Sequence, residues 1–140
     1  MTEIDFYSGS GDKLNTACRL VAKAVRNGLK VMVYTSDPAA IEQMDKLLWT
    51  FSAKDFIPHC RAGNELADVT PVILGDNAIK IPHNDVLLNL DLANPTFFSR
   101  FRRLIEITGT TPEDTRAARK RYRFYQDRGY EIRHHKLGAP

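Results

Sequence analysis

At 140 residues the chain is long enough for one domain, residues 1–140, that buries a core without disulfides or a structural metal. Its 43% apolar and 26% charged content is that of an ordinary globular protein, and no run of about 18 apolar residues reads as a membrane span. Net charge is only +3, yet residues 1–98 hold 9 Lys/Arg against 12 Asp/Glu while residues 99–140 hold 11 against 5. A mildly acidic body with a basic last third suits one anionic partner, either nucleic acid or an acidic peptide.

The opening MTEIDFYSG has neither the basic start nor the apolar core of a signal peptide, and IDFYS alternates as a first strand. Ser8-Gly9-Ser10-Gly11 leads into a helix whose apolar face is Leu14, Ala17, Cys18, Val21, Ala24 and Val25, closing near Gly28. KVMVYTS reads as a second strand, apolar enough to be buried on both faces. Asp37 caps the next helix, with Pro38 in its first turn where a missing N–H costs nothing. Ile41, Met44, Leu47 and Leu48 form its apolar face, and it runs out near Trp49.

Residues 50–68 are less regular. VTPVILG and DVLLNLD read as strands joined by a loop with Asp76-Asn77 and Pro82. NPTFFSRFRR predicts a short helix opened by Asn94-Pro95, and LIEIT predicts another strand. Thr111-Pro112-Glu113-Asp114 then starts a last helix, with a capping hydroxyl, a proline and two acids in its first turn, that stops at Gly129. The alternation predicts an α/β fold: a three-layer sandwich around a mostly parallel sheet, like the nucleotide-binding folds.

The turn YSGSGDKLN sits where such folds hold phosphate. A P-loop needs Gly-Lys followed by Ser or Thr, whereas Lys13 stands between Asp12 and Leu14. Leu14 also replaces the third glycine of the dinucleotide pattern. The fold is therefore expected without a functional P-loop, and Asp91, at the end of VLLNLD, without a magnesium role. His59-Cys60 is the one adjacent His–Cys pair, short of the four ligands of a structural zinc site; Cys18 lies on an apolar helix face and His134-His135 near a frayed end. No nucleophile or carboxylate pair stands in a recognised motif. No catalytic residue, metal or cofactor is expected. Two cysteines are too few to staple a secreted scaffold, so reduced thiols and a cytoplasmic setting are expected.

Two segments remain. In LLWTFSAKDFIPH, Trp49, Phe51, Phe56 and Ile57 crowd a short stretch around Pro58; they fill the core or form a partner-binding patch. In ARKRYRFYQDRGYEI, Ala118, Tyr122 and Tyr125 share a face at i, i+4 and i+7, with Arg116, Arg119 and Arg123 alongside. Arginine grips carboxylates and phosphates through two parallel bonds. The stripe therefore suits an acidic peptide ending in an apolar residue and a free carboxylate, or single-stranded nucleic acid stacked on Tyr122.

With IDFY, GLKVMVYTSD, MDKLLWTFSAKDFIPH and ARKRYRFYQDRGYEI in this order, the chain resembles the chi subunit family of bacterial DNA polymerase III over essentially its whole length. The resemblance implies a clamp-loader accessory protein, without catalysis of its own, that binds the acidic C-terminal tail of single-stranded-DNA-binding protein. Arg119, Tyr122 and Arg123 match the family's tail-binding arginine, tyrosine and following basic residue. A family lysine one turn earlier aligns with Thr115, a departure for which Arg116 is the substitute charge. A second family surface, for the psi subunit or a competing helicase, matches Trp49 and Phe56, with Phe51 between them assigned to the same surface. DNA would then be met mainly through the tail-bearing protein. The rivals are a direct single-stranded nucleic-acid binder, favoured by the basic last third, and a nucleotide-binding enzyme, suggested by the fold order.

Overall fold

A computed structural model describes residues 1–51, 56–75 and 81–137. Seven strands form one sheet: β1 (Glu3–Ser8), β2 (Val31–Tyr34), β3 (His59–Arg61), β4 (Val72–Gly75), β5 (Val86–Asn89), β6 (Arg103–Ile107) and β7 (Ile132–Lys136). Their spatial order is β3-β4-β2-β5-β6-β1-β7, and each pairing is parallel. Helices α1 (Lys13–Arg26), α2 (Pro38–Thr50) and α3 (Pro112–Asp127) complete the three layers.

A parallel sheet covered on both faces needs nearly continuous apolar strands, and Val31–Val33, Val72–Leu74 and Val86–Leu88 supply them, each at most 1% exposed. Alternate residues divide between two cores. Val31, Val33, Val72, Leu74, Val86 and Leu88 meet α1 and α2, through Ala17, Cys18, Val21, Ile41, Met44 and Leu48. Met32, Leu87, Leu104, Ile4 and Phe6 meet α3 and the aromatic trio Phe97, Phe98 and Phe101. That trio lies on a turn whose only helical part is a 3-10 stretch at Phe98–Arg100, shorter than the helix expected for NPTFFSRFRR.

The caps follow the sequence. Asp12 accepts from Asn15 N–H at the head of α1, and Gly28 closes that helix at φ +78°. Asp37 caps α2. Thr111 caps α3, accepting from Asp114 N–H at 3.1 Å. In the would-be phosphate turn, Asp12 is thus occupied as a cap and the Ser10 hydroxyl bonds Thr16 at 2.8 Å.

Two strands depart from the sequence reading. β3 forms in the stretch read as irregular, and His134-His135, expected near a frayed end, lie within β7. What seats β7 is Asp5, whose side chain is 1% exposed and bonded by Arg103 of β6 and by Arg133 and His135 of β7. Asp76-Asn77 of the predicted loop lie outside the described residues.

Candidate functional site

The inner side of α3 buries Ala118, Arg121 and Tyr125, while Tyr122 and Phe124 are half-buried and Arg116, Arg119, Lys120, Arg123 and Arg128 are exposed. The expected division into an apolar face and an arginine stripe is present, with one exception that the sequence reading missed. Arg121, 2% exposed, turns inward: its Nε donates to Glu106 Oε1 at 2.9 Å and its Nη1 to the Leu92 carbonyl at 2.7 Å. Glu106 also accepts from the Tyr125 hydroxyl at 2.6 Å and from Asn89 Nδ2 at 3.0 Å.

A buried carboxylate is tolerable only when paired and bonded in this way. Burial pushes the Glu106 carboxyl upward against the pull of Arg121, Tyr125 and Asn89. Burial, then the charge of Glu106, raises the Tyr125 phenol. The signal for Arg121 was Glu106 itself, a lone acid at an inward position of a buried strand, which demands a cation from the element packed over it.

On the outer side the charges are unsatisfied. Among the described residues, Arg116, Arg119, Lys120 and Arg123 have no ion-pair partner; Arg128 lies over the Phe124 ring at 3.6 Å. Two open clefts flank the stripe. One, of about 310 Å³, runs between Arg119, Lys120, Arg123 and Arg128, with Phe124 and the acidic Asp127 also in its wall. The other, of about 440 Å³, is lined by Leu92, Ala93 and Ala117 together with Arg116, Lys120 and the acidic Glu113. Tyr122 stands on the opposite flank, its ring edge-on to Phe6 at 5.3 Å. Thr115, Arg119 and Tyr122 share that flank at i, i+4 and i+7, and the Thr115 hydroxyl is spent on the Thr111 carbonyl at 2.9 Å.

The second expected surface is only partly assembled as read. Trp49 and Phe56 are 59% and 60% exposed, with ring centroids 5.1 Å apart. Trp49 belongs to the last turn of α2, where the sequence reading ends that helix. Ile57 is buried, and Phe51 packs inward against the α1–α2 core. The exposed pair is therefore Trp49 and Phe56 alone. Cys18 is fully buried, and burial raises its thiol to about 11. Among the described residues no group of three or more His, Cys, Asp or Glu is placed to hold a metal, and no helix is long and apolar enough to cross a membrane.

Fold and surface together define a three-layer α/β domain around a parallel sheet, carrying a helix with unpaired outer arginines and an exposed aromatic pair. The sequence pattern described as "DNA polymerase III chi subunit, HolC" matches residues 1–133. The chain belongs to this family, and so is an accessory subunit of DNA polymerase III, part of a DNA-replicating holoenzyme. It is 37% identical to DNA polymerase III subunit chi of Pseudomonas aeruginosa, over 98% of each chain. To subunit chi of Haemophilus influenzae it is 27% identical, over 87% of this chain and 85% of that one. In fold it is similar to the C-terminal domain of the DEAD-box protein Dbp5, with a TM-score of 0.61, 11% identity, and 97% and 90% of the two chains covered.

Proposed function

We propose that this chi-family chain docks the acidic C-terminal tail of single-stranded-DNA-binding protein on the outer side of α3, and ties it to the polymerase assembly through Trp49 and Phe56. Arg119, Arg123 and Arg116 grip the tail's carboxylates, and Tyr122 with Thr115 forms the flank beside them. The second surface receives the psi subunit or a competing helicase. The chain works in the cytoplasm as one domain, with no catalysis of its own, and reaches DNA through the tail it holds.

The observation that carries this reading is the set of exposed guanidinium groups on α3 without partners, beside apolar clefts. An intramolecular role would have paired them, as Arg121, Arg103 and Arg133 are paired. Arginines with their bonds unmade recognise carboxylates with charge and direction together. The deciding experiment titrates a labelled tail peptide and, in parallel, a single-stranded oligonucleotide. Tight peptide binding lost in Arg119→Ala supports the reading. Oligonucleotide binding that falls steeply with salt, without peptide binding, replaces it by direct phosphate contact.

A further inference from the structure

Behind the exposed Trp49 and Phe56 lies a third ring. The His59 side chain is only 1% exposed, and its ring meets Trp49 at 5.0 Å and 67°, and Phe56 at 6.3 Å and 41°. With the direct Trp49–Phe56 contact at 5.1 Å the three rings close a triangle, one corner from α2 and two from the chain entering β3.

The imidazole is bonded at one nitrogen and faces a carboxylate with the other. Nδ1 lies 2.7 Å from the Ile57 carbonyl oxygen, and because a carbonyl only accepts, Nδ1 carries the hydrogen. Nε2 stands 2.8 Å from Asp45 Oδ1 without making a hydrogen bond. Asp45 lies one helical turn before Trp49 on the same face of α2, and Arg61 Nη2 is 3.8 Å from its other oxygen. One ring therefore ties the last turn of α2 to the start of β3, at the place where the exposed pair sits.

We propose that His59 is the positioning residue of the Trp49–Phe56 docking surface: bonded to the Ile57 carbonyl, set against Asp45 and in contact with both rings, it fixes them in their exposed arrangement before a partner arrives. The inference rests on the reading of that pair as a docking surface. Anchors frozen in advance lose less side-chain freedom on binding than rings that must be ordered by the partner. His59 itself is covered by the rings and acts through them.

The chain has one tryptophan, so Trp49 emission reports on the triangle without a label. Time-resolved anisotropy of the wild-type chain is expected to lack fast local ring motion, and His59→Ala is expected to introduce it. Asp45→Asn, which keeps all three rings, guards against a folding defect in His59→Ala and is expected to show the same motion at smaller amplitude. Purified psi subunit should bind His59→Ala about tenfold more weakly than wild type, as for loss of an ordered anchor, with tail-peptide affinity unchanged. If Trp49 is as still in both variants as in wild type, the positioning role is overturned. If psi binds wild type and His59→Ala equally but not Phe56→Ala, the positioning role is overturned and the docking surface stands. If psi and helicase bind wild type and Phe56→Ala equally, the docking surface itself falls, and the inference with it.

Discussion

Arg121 and Glu106 form an ion pair with side-chain exposures of 3% and 0%, Nε to Oε1 2.9 Å, directly beneath the helix face that carries the unpaired arginines. The same helix thus uses one arginine to fasten itself and leaves its neighbours free. Arg121→Ala is expected to cost about 3–5 kcal/mol of stability, because it strands a buried carboxylate. Urea unfolding measures this. Replacing Arg121 and Glu106 together by Met and Gln should cost clearly less, and equal losses would mean that the pair is not what matters.

Arg119, two residues earlier and exposed, should behave in the opposite way. Arg119→Ala is expected to leave the melting temperature unchanged and to weaken tail-peptide binding by about 1.5–3 kcal/mol, the range for hydrogen bonds to charged groups. Tyr122→Ala should weaken binding as well, and also lower stability, since its ring packs on Phe6. Isothermal titration and melting curves on the same two variants separate these effects. Unchanged affinity in a folded Arg119→Ala would remove Arg119 from the site.

The tail should be read by its end as well as by its charge. The clefts beside the stripe are lined by Phe124 on one hand and by Leu92, Ala93 and Ala117 on the other, so apolar side chains have somewhere to go. Removing the terminal apolar residue of the peptide is expected to hurt more than removing one upstream aspartate. Equal losses would make the stripe a purely electrostatic patch.

Phe56, at 60% exposure, should be dispensable to the isolated fold and costly at an interface, where truncated aromatic anchors commonly lose about 2 kcal/mol or more. Phe56→Ala should melt with wild type, keep the tail-peptide affinity, and fail to capture psi or a helicase. A large drop in melting temperature would return Phe56 to a purely structural role.

Acid should loosen the β1–β7 side of the sheet first. Burial pushes the Asp5 carboxyl up, but bonds from Arg133, His135 and Arg103 outweigh it and hold the group below its ordinary range. A carboxyl held below its unfolded value contributes stability that is fully present above about pH 4 and is lost as the pH falls through the folded value. Asp5→Asn should therefore lower stability at neutral pH and flatten the acid limb of a stability–pH curve. An unchanged acid limb would mean that Asp5 does not control it.

The central strands were legible because burial on both faces leaves Val31–Val33, Val72–Leu74 and Val86–Leu88 almost no choice of residue. The edges were not. β3 spans three residues, His59–Arg61, too few to show a period. β7 reads Ile-Arg-His-His-Lys, a polar sequence that becomes a strand because Asp5 supplies the partner for Arg133 and His135. At the candidate site the outer arginines were recoverable from helical spacing. Arg121 was not, because a charge within a basic run is read as solvated until the acid across from it is known. Phe51 was grouped with Trp49 and Phe56 by proximity in sequence, and the end of α2 turns it the other way.

The placement of Asp5 between Arg103 and Arg133 has a consequence for how the chain acquires its fold. β1 is the first strand in sequence but its two sheet neighbours are the last, so its bonds to them span 98 and 128 residues. Contacts of that separation form late, after the entropy of closing a long loop has been overcome. During synthesis β1 must wait, unpaired on both edges, until nearly the whole chain has emerged. The arginine helix lies between those two late strands in sequence and sets Tyr122 against Phe6 of β1, so its inner face is completed together with the sheet's last closure.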